Sequence, residues 1–270
     1  MGNILDELAD YARLRVEQAK ARKPLEQLRE DALAVYRAEG SDFAFERAFS
    51  EGDEIHFICE CKKASPSKGL IAPHFPYLDI AKEYETAGAS AISVLTEPKW
   101  FLGSLDYLRE IAGGVKIPCL RKDFTVDPYM IYEAKTAGAS AILLIAALLD
   151  TQTIEAYLEI ADRLGLSAIV EAHDEAEVAS AVEAGARIIG VNNRNLKDFT
   201  VDIRNSIRLR SLAPSNVIFV AESGIRTPED VETLRQNGVN AVLIGEQLMR
   251  AEGPGRELAR LRGDCTEALD

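Results

Sequence analysis

Thr86-Ala87-Gly88-Ala89-Ser90-Ala91-Ile92 decides the fold, because the chain writes the same phrase four times. It returns as Thr136-Ala137-Gly138-Ala139-Ser140-Ala141-Ile142, then as Glu183-Ala184-Gly185-Ala186-Arg187-Ile188-Ile189. The last copy is Gln236-Asn237-Gly238-Val239-Asn240-Ala241-Val242. Each reads as a helix that stops at a glycine able to take a left-handed cap, then a short link into an apolar strand. The four glycines lie 50, 47 and 53 residues apart. That is about two strand–helix units per interval, given the ~30 residues of a βαβ motif. Eight candidate strands follow: 55–61, 91–95, 117–121, 141–146, 168–172, 187–192, 217–222 and 241–245. All are short, aliphatic or β-branched, and separated by helical patterns. Such apolar strands suit a parallel sheet covered on both faces. Asp127-Pro128 and Thr227-Pro228-Glu229-Asp230 supply capping side chains followed by proline at helix starts. The reading is α/β: a (β/α)8 TIM barrel, a fold of roughly 250 residues. A doubly wound sheet would carry GxGxxG after its first strand, and none is present.

Residues 1–50 lie outside this count. Asn3 can cap a helix over 4–21 with Leu5, Leu8, Ala12 and Val16 on one stripe, and 24–38 reads as a second helix. These helices are too short for a core of their own, so they are expected to pack on the barrel as an extension, with 51–270 forming the catalytic barrel. The 270 residues carry 31 Lys and Arg against 44 Asp and Glu, a net charge of −13. That balance argues against nucleic acid and anionic membranes as partners. The N-terminus lacks a signal-peptide apolar core, and the longest apolar run, 141–149, is too short to span a bilayer. A cytoplasmic protein is expected. Its four cysteines (Cys59, Cys61, Cys119, Cys265) form no CxxC, and its three histidines (His56, His74, His173) show no metal-ligand spacing. No metal site is expected.

Chemistry is expected at the carboxyl ends of the strands. In Phe57-Ile58-Cys59-Glu60-Cys61-Lys62-Lys63-Ala64-Ser65-Pro66-Ser67-Lys68-Gly69 an apolar run ends in Glu60 and Lys62, which share one face of the strand. Facing a core, that pair would be costly to desolvate. A pocket explains it better than a solvated edge. Other strand ends carry Lys122-Asp123, Glu171, Asn192 with Arg194, and Glu222-Ser223-Gly224, while the last ends at Gly245-Glu246. Small residues after the last two strands let backbone N–H groups approach a phosphate. The Glu246 side chain is expected to turn away from it. Lys122 suits a general acid, a Schiff-base nucleophile or a counter-ion, and spacing does not choose. Glu171 ends an apolar strand, so burial is expected to raise its pKa, unless it forms an ion pair with a neighbouring lysine. Phe101 and Phe124 fit either stacking on an aromatic substrate or plain loop packing.

These residues make the chain resemble the indole-3-glycerol phosphate synthase family nearly end to end. The resemblance rests on the extension, on Cys59 to Gly69 as quoted, and on Ser93-Val94-Leu95-Thr96-Glu97 and Phe101-Leu102-Gly103-Ser104. It continues through Lys122-Asp123-Phe124, Gly190-Val191-Asn192-Asn193-Arg194 and Ala221-Glu222-Ser223-Gly224-Ile225. It implies a substrate, 1-(2-carboxyphenylamino)-1-deoxyribulose 5-phosphate, that closes an indole ring with loss of carbon dioxide and water. It implies Lys122 as the acid at the carbonyl oxygen. Glu171, with Lys62 or Glu60, would handle hydroxyl departure and the final proton. Asn192 would orient substrate, and Ser223, Gly224, Gly245 and the Glu246 backbone would cradle phosphate, with Ser65 closing over it. Arg194 and Glu222 would support the anthranilate side and position Lys122, inside an apolar wall of Leu95, Phe101, Phe124 and Leu143. No organic cofactor and no metal are implied. The one notable departure is Glu246, where some members carry Ser. No second barrel follows Asp270, so a stand-alone synthase is expected. The expected assembly is a monomer, at most weakly associated with other tryptophan-pathway enzymes.

Two other readings compete. One is a Schiff-base aldolase of sugar phosphates on Lys122, which borohydride would trap. The other is a non-catalytic barrel subunit, which would need a broken site.

Overall fold

The computed structural model describes residues 4–40, 43–49, 54–195 and 200–264. Eight parallel strands close a barrel: β1 (His56–Cys61), β4 (Ala91–Leu95), β5 (Cys119–Lys122), β6 (Ala141–Ile145), β7 (Ser167–Ala172), β8 (Ile188–Asn192), β9 (Ile218–Glu222) and β10 (Ala241–Ile244). Each pairs with its sequence neighbours, and β10 returns to β1 with Cys59 opposite Ile244. The TIM barrel is as expected, with strand ends adjusted by one or two residues. A hairpin of two-residue strands, β2 (Ala64–Ser65) and β3 (Gly69–Leu70), folds the Ser-Pro-Ser loop back on itself. The alternation reading did not foresee this hairpin.

Helices α4 (Tyr77–Thr86), α5 (Leu105–Gly114), α6 (Pro128–Thr136), α7 (Thr151–Arg163), α8 (Glu175–Glu183), α9 (Arg204–Arg210), α10 (Pro228–Gln236), α11 (Glu246–Arg250) and α12 (Pro254–Arg262) form the outer layer. Their starts are chemically marked. Asp127 accepts from the Tyr129 N–H, and Thr227 and Asp230 make a reciprocal capping box. The glycines of the repeated phrase, Gly88, Gly138, Gly185 and Gly238, all take positive φ where their helices stop.

The inward residues explain the barrel's polarity. Successive side chains on one face read Ile58 then Glu60, Leu120 then Lys122, Ile169 then Glu171, Val220 then Glu222. Apolar side chains therefore fill the amino end, and ionisable ones sit at the carboxyl rim. A short helix, α3 (Ala44–Arg47), places Phe45 and Phe49 in the core cluster containing Ala91, Ala141, Ile188 and Ala241, at the strand starts. It plugs the amino end. The outward residues Cys59, Cys61 and Cys119 lie under the helices as buried free thiols.

Helices α1 (Ile4–Arg22) and α2 (Leu25–Glu39) precede the barrel. The stripe Leu5, Leu8, Ala12 and Val16 is buried as read from sequence. The helices are tied down by Arg15 to Asp123, Lys20 to Asp127 at 2.8 Å and Lys135 to Glu39 at 3.0 Å. Tyr11 meets Trp100 edge to face with ring centroids 5.5 Å apart. The cap assigned to Asn3, and Cys265, lie outside the described residues. No described helix is long and apolar enough to cross a membrane.

Candidate active site

A cavity of about 410 Å³ opens at the carboxyl end of the barrel. All sixteen side chains or backbones named from sequence line it: Glu60, Lys62, Ser65, Leu95, Phe101, Lys122, Phe124, Leu143, Glu171, Asn192, Arg194, Glu222, Ser223, Gly224, Gly245 and Glu246. The strands deliver Glu60, Lys122, Glu171 and Glu222, and Lys62, Arg194 and Glu246 follow strand ends.

Lys122 forms the centre. Its Nζ donates to Glu222 Oε2 at 2.6 Å and to Glu171 Oε2 at 2.9 Å. Burial opposes its charge, but Glu171, Glu222 and Glu60 together hold the ammonium well above the ordinary lysine range. Asn192 Nδ2 donates to the other Glu171 oxygen at 3.4 Å. Glu60 pairs with Lys62 and accepts a long hydrogen bond, 3.5 Å, from Ser93 Oγ.

The sequence reading had burial raising Glu171. Burial does act that way, but the Lys122 ammonium and then His173 overcome it and lower Glu171 to about 2. The ion-pair alternative is what the structure contains. The raised carboxyl is instead Glu222, pushed up to about 7 by burial, with Glu171 and Glu60 opposing the pull of Lys122. Two carboxylates sharing one ammonium cannot both be fully stabilised.

Two glycines make room for these carboxylates. A Cβ on Gly190 would sit 2.5 Å from Glu222 Oε1 and 2.8 Å from Ile169 Cγ2, and one on Gly245 would strike Glu60. Close approach, rather than backbone conformation, keeps these positions small.

Past β9 the backbone turns sharply, with Ser223 at φ 68° and Gly224 at φ 89°. A non-glycine residue in the left-handed region carries strain, which must be held by its surroundings. Asn193 does so. Its Nδ2 donates to the Ser223 carbonyl at 3.1 Å, and its Oδ1 accepts from Ser206 N and Oγ at 3.0 and 2.8 Å. Beside this turn, α11 begins after Gly245.

Glu246 corrects a second expectation. Its side chain does not turn away; it lies 3.6 Å from Lys68 and from Arg194, and 3.1 Å from Arg250. It sits among the cations of the mouth.

The opposite wall is apolar. Leu95, Leu143, Phe101 and Phe124 line it, the two rings 6.1 Å apart between centroids. Phe101 is fixed by Glu97, whose buried carboxylate accepts the N–H groups of Lys99, Trp100 and Phe101 at 2.8, 2.8 and 2.9 Å. Ile4, Leu5 and Leu8 of α1 complete the wall, so the extension reaches the cavity. Sequence reasoning also missed Arg226 and Arg250 as lining residues. Arg226 lies two residues beyond Gly224, and Arg250 lies one helical turn after Glu246. Both spacings were legible and went unused.

Comparison with known proteins identifies the family. The sequence model of the family "Indole-3-glycerol phosphate synthase" matches residues 5–261. The chain is 60% identical to the indole-3-glycerol phosphate synthase of Ruminiclostridium cellulolyticum over 262 residues, covering 97% of this chain and 100% of that one. It is 51% identical to that of Endomicrobium trichonymphae, covering 96% and 99%. Among solved structures, 3-hexulose-6-phosphate synthase from Salmonella typhimurium superposes with a TM-score of 0.64 at 16% identity, over 77% of this chain and 97% of that one. Thiamine phosphate pyrophosphorylase from Pyrococcus furiosus gives 0.60 at 16% identity, over 78% and 95%. These last two likenesses speak for the barrel alone.

Proposed function

The chain belongs to the indole-3-glycerol phosphate synthase family and carries that activity, and from this premise we propose how its residues divide the chemistry. The reaction converts 1-(2-carboxyphenylamino)-1-deoxyribulose 5-phosphate into indole-3-glycerol phosphate, carbon dioxide and water. It needs an acid at the ketose carbonyl, a second acid for the departing hydroxyl, and a base for the last ring proton.

One observation carries the assignment: Lys122 is held charged between Glu171 and Glu222 at the floor of the cavity. A lysine held protonated at rest is positioned to donate to the carbonyl oxygen as the ring carbon attacks. The same feature disfavours the aldolase reading, since a Schiff base must start from the neutral amine. Glu171, ionised and beside Asn192, is the base for the ring proton. The Glu60–Lys62 pair assists the hydroxyl as it leaves. Glu222 positions Lys122.

Charge complementarity orients the substrate. Its phosphate would sit against the Ser223–Gly224 turn and the start of α11, under Ser65 and near Arg226 and Arg250. Its carboxylate would face Arg194. Its ring would lie against Leu95, Phe101, Phe124 and Leu143, where burial of apolar area favours binding. Placing a ring and a phosphate at opposite ends of one cavity holds the reacting carbons together, which lowers the entropic barrier.

The direct test mixes purified protein with the carboxyphenylamino-deoxyribulose phosphate and follows indole fluorescence, with the single Trp100 as a fixed background. Rising signal with release of carbon dioxide, and no lysine trapped by borohydride, is the expected result. A flat trace from folded protein, or a trapped Lys122, would overturn the reading.

A further inference from the structure

His173 follows the catalytic strand by one residue and does not line the cavity, yet it stands directly behind Glu171. Its Nε2 is buried, makes no hydrogen bond, and points at Glu171 Oε1 from 3.6 Å. Its Nδ1 lies 3.1 Å from Glu177 Oε2, which also accepts the His173 backbone N–H at 2.7 Å. Glu177 in turn is set by the start of α8, where its N–H donates to Asp174 Oδ1 at 3.0 Å. Its side chain is 20% exposed. Glu171 Oε2 completes the line by accepting from Lys122. Four ionisable groups thus stand in line from Lys122 to the partly exposed Glu177, with a 3.6 Å gap between His173 and Glu171. A buried ring nitrogen left without a partner has to be accounted for.

The reaction supplies a reason. On the function proposed above, each turnover consumes a proton. The carbonyl oxygen gains a proton, the departing hydroxyl gains a second, and the ring carbon returns one. The carboxylate leaves as neutral carbon dioxide. One proton per turnover must therefore enter from solvent. Ring closure spends the proton of Lys122 early, whereas Glu171 takes up the ring proton last. Until the ring proton reaches Glu171, Glu171 has none to return to Lys122, and substrate seated as proposed lies across the open side of the cavity.

We propose that His173, bridged to solvent by Glu177, is a positioning residue and proton relay that recharges Lys122 through Glu171 from behind the bound substrate. In the refilling step the His173 Nε2–H bond breaks as an O–H bond forms on Glu171. That O–H bond then breaks as Lys122 regains its N–H. The neutral ring keeps its Nδ1–H; on turning over it presents the bare Nε2 to Glu177 and regains a proton there from water. The electrostatics run in the same direction. Burial opposes charge on His173, but Glu177, Glu171 and Glu222 face it and raise its pKa, so the ring is ready to donate. Once Lys122 is neutral, the largest pull holding Glu171 ionised is gone. Asn205 of α9 donates to the His173 carbonyl at 3.1 Å and not to its ring.

The test is steady-state kinetics of His173→Asn and Glu177→Gln against the wild-type protein, with thermal melts of all three. For a lost proton path, kcat should fall about tenfold with KM nearly unchanged. The solvent deuterium effect on kcat should grow, and added imidazole should restore turnover. Wild-type kcat in His173→Asn would overturn the relay while leaving the function intact. So would a loss of activity that imidazole does not relieve and that follows a lowered melting temperature, since that marks a structural role. A wild-type protein that makes no indole product would overturn the function, and the relay with it.

Discussion

Arg15 and Asp123, 108 residues apart, are joined by two hydrogen bonds of 2.6 and 3.0 Å between guanidinium and carboxylate. Asp123 is fully buried, and Thr96 Oγ1 donates to it at 2.6 Å. The residue beside it is Lys122. The first helix therefore fastens to the strand end that presents the Lys122 ammonium.

Replacing Arg15 by Met strands a buried charge, so unfolding stability should drop by about 3 kcal/mol. The pH dependence has a definite sign. Burial opposes the Asp123 charge, but Arg15 outweighs it and holds the carboxyl at about 2, against an ordinary 3.8. This contribution is present above pH 4 or so and is lost as pH falls toward 2. Urea titrations between pH 7 and pH 2 should show that acid loss in the wild type and much less of it in Arg15→Met. Matching acid limbs would refute the assignment.

Lys122→Met should reduce kcat at least about 100-fold, the scale of a lost general acid. Substrate should still bind, because the phosphate and ring contacts proposed above lie elsewhere in the cavity. Equilibrium binding beside single-turnover kinetics separates the two. Undiminished turnover would remove Lys122 from its role.

Glu222 gives a pH effect of opposite sign to Asp123. Its folded pKa, about 7, lies above the ordinary 4.5, so the folded chain keeps a proton that the unfolded chain has released. Its contribution to stability therefore declines as pH rises from about 4.5 to about 7. The depressed Glu171 acts below that window and does not interfere. Glu222→Gln should show a smaller decline than wild type when urea melts at pH 5 and pH 8 are compared. An identical decline would place the titration on another group.

Glu246 pairs with Lys68 and Arg250, cations beside the proposed phosphate site, and with Arg194. Partly exposed pairs of this kind are individually weak, so Glu246→Gln should tighten binding of inorganic phosphate by only about fivefold. Calorimetric titration of both proteins measures it. Weaker binding in the variant would show that the carboxylate organises the cations instead of occupying them.

Much of this was legible because it is local or periodic. The Thr-Ala-Gly-Ala phrase fixes where helices end and strands begin, and strand alternation then puts Glu60, Lys122, Glu171 and Glu222 on one rim. What was illegible depends on distances between strands. An apolar approach to Glu171 argues for a raised pKa until Lys122 is found 2.9 Å away. Nothing in the spacing of Glu246 reveals that Lys68, in a loop nearly 180 residues earlier, lies beside it. The hairpin of β2 and β3 escaped because two-residue strands have no period, and α3 because four residues make barely one helical turn. His173 was noticed only as a metal ligand without companions, since its partners Glu171 and Glu177 become meaningful once the ring's direction is known.

Closure of β10 onto β1 has a consequence for how this protein is born. Gly245 leaves the space that Glu60 occupies, and the two are joined only when the final strand slots between β9 and β1. A nascent chain emerging from the ribosome carries Lys122 and Glu171 long before it has anywhere to put a phosphate. Until the last fifth of the polypeptide is made, the ring has a gap where one rim of the cavity belongs. A chain that stops before residue 241 lacks the strand that closes the ring, and with it the Gly245 side of the cavity.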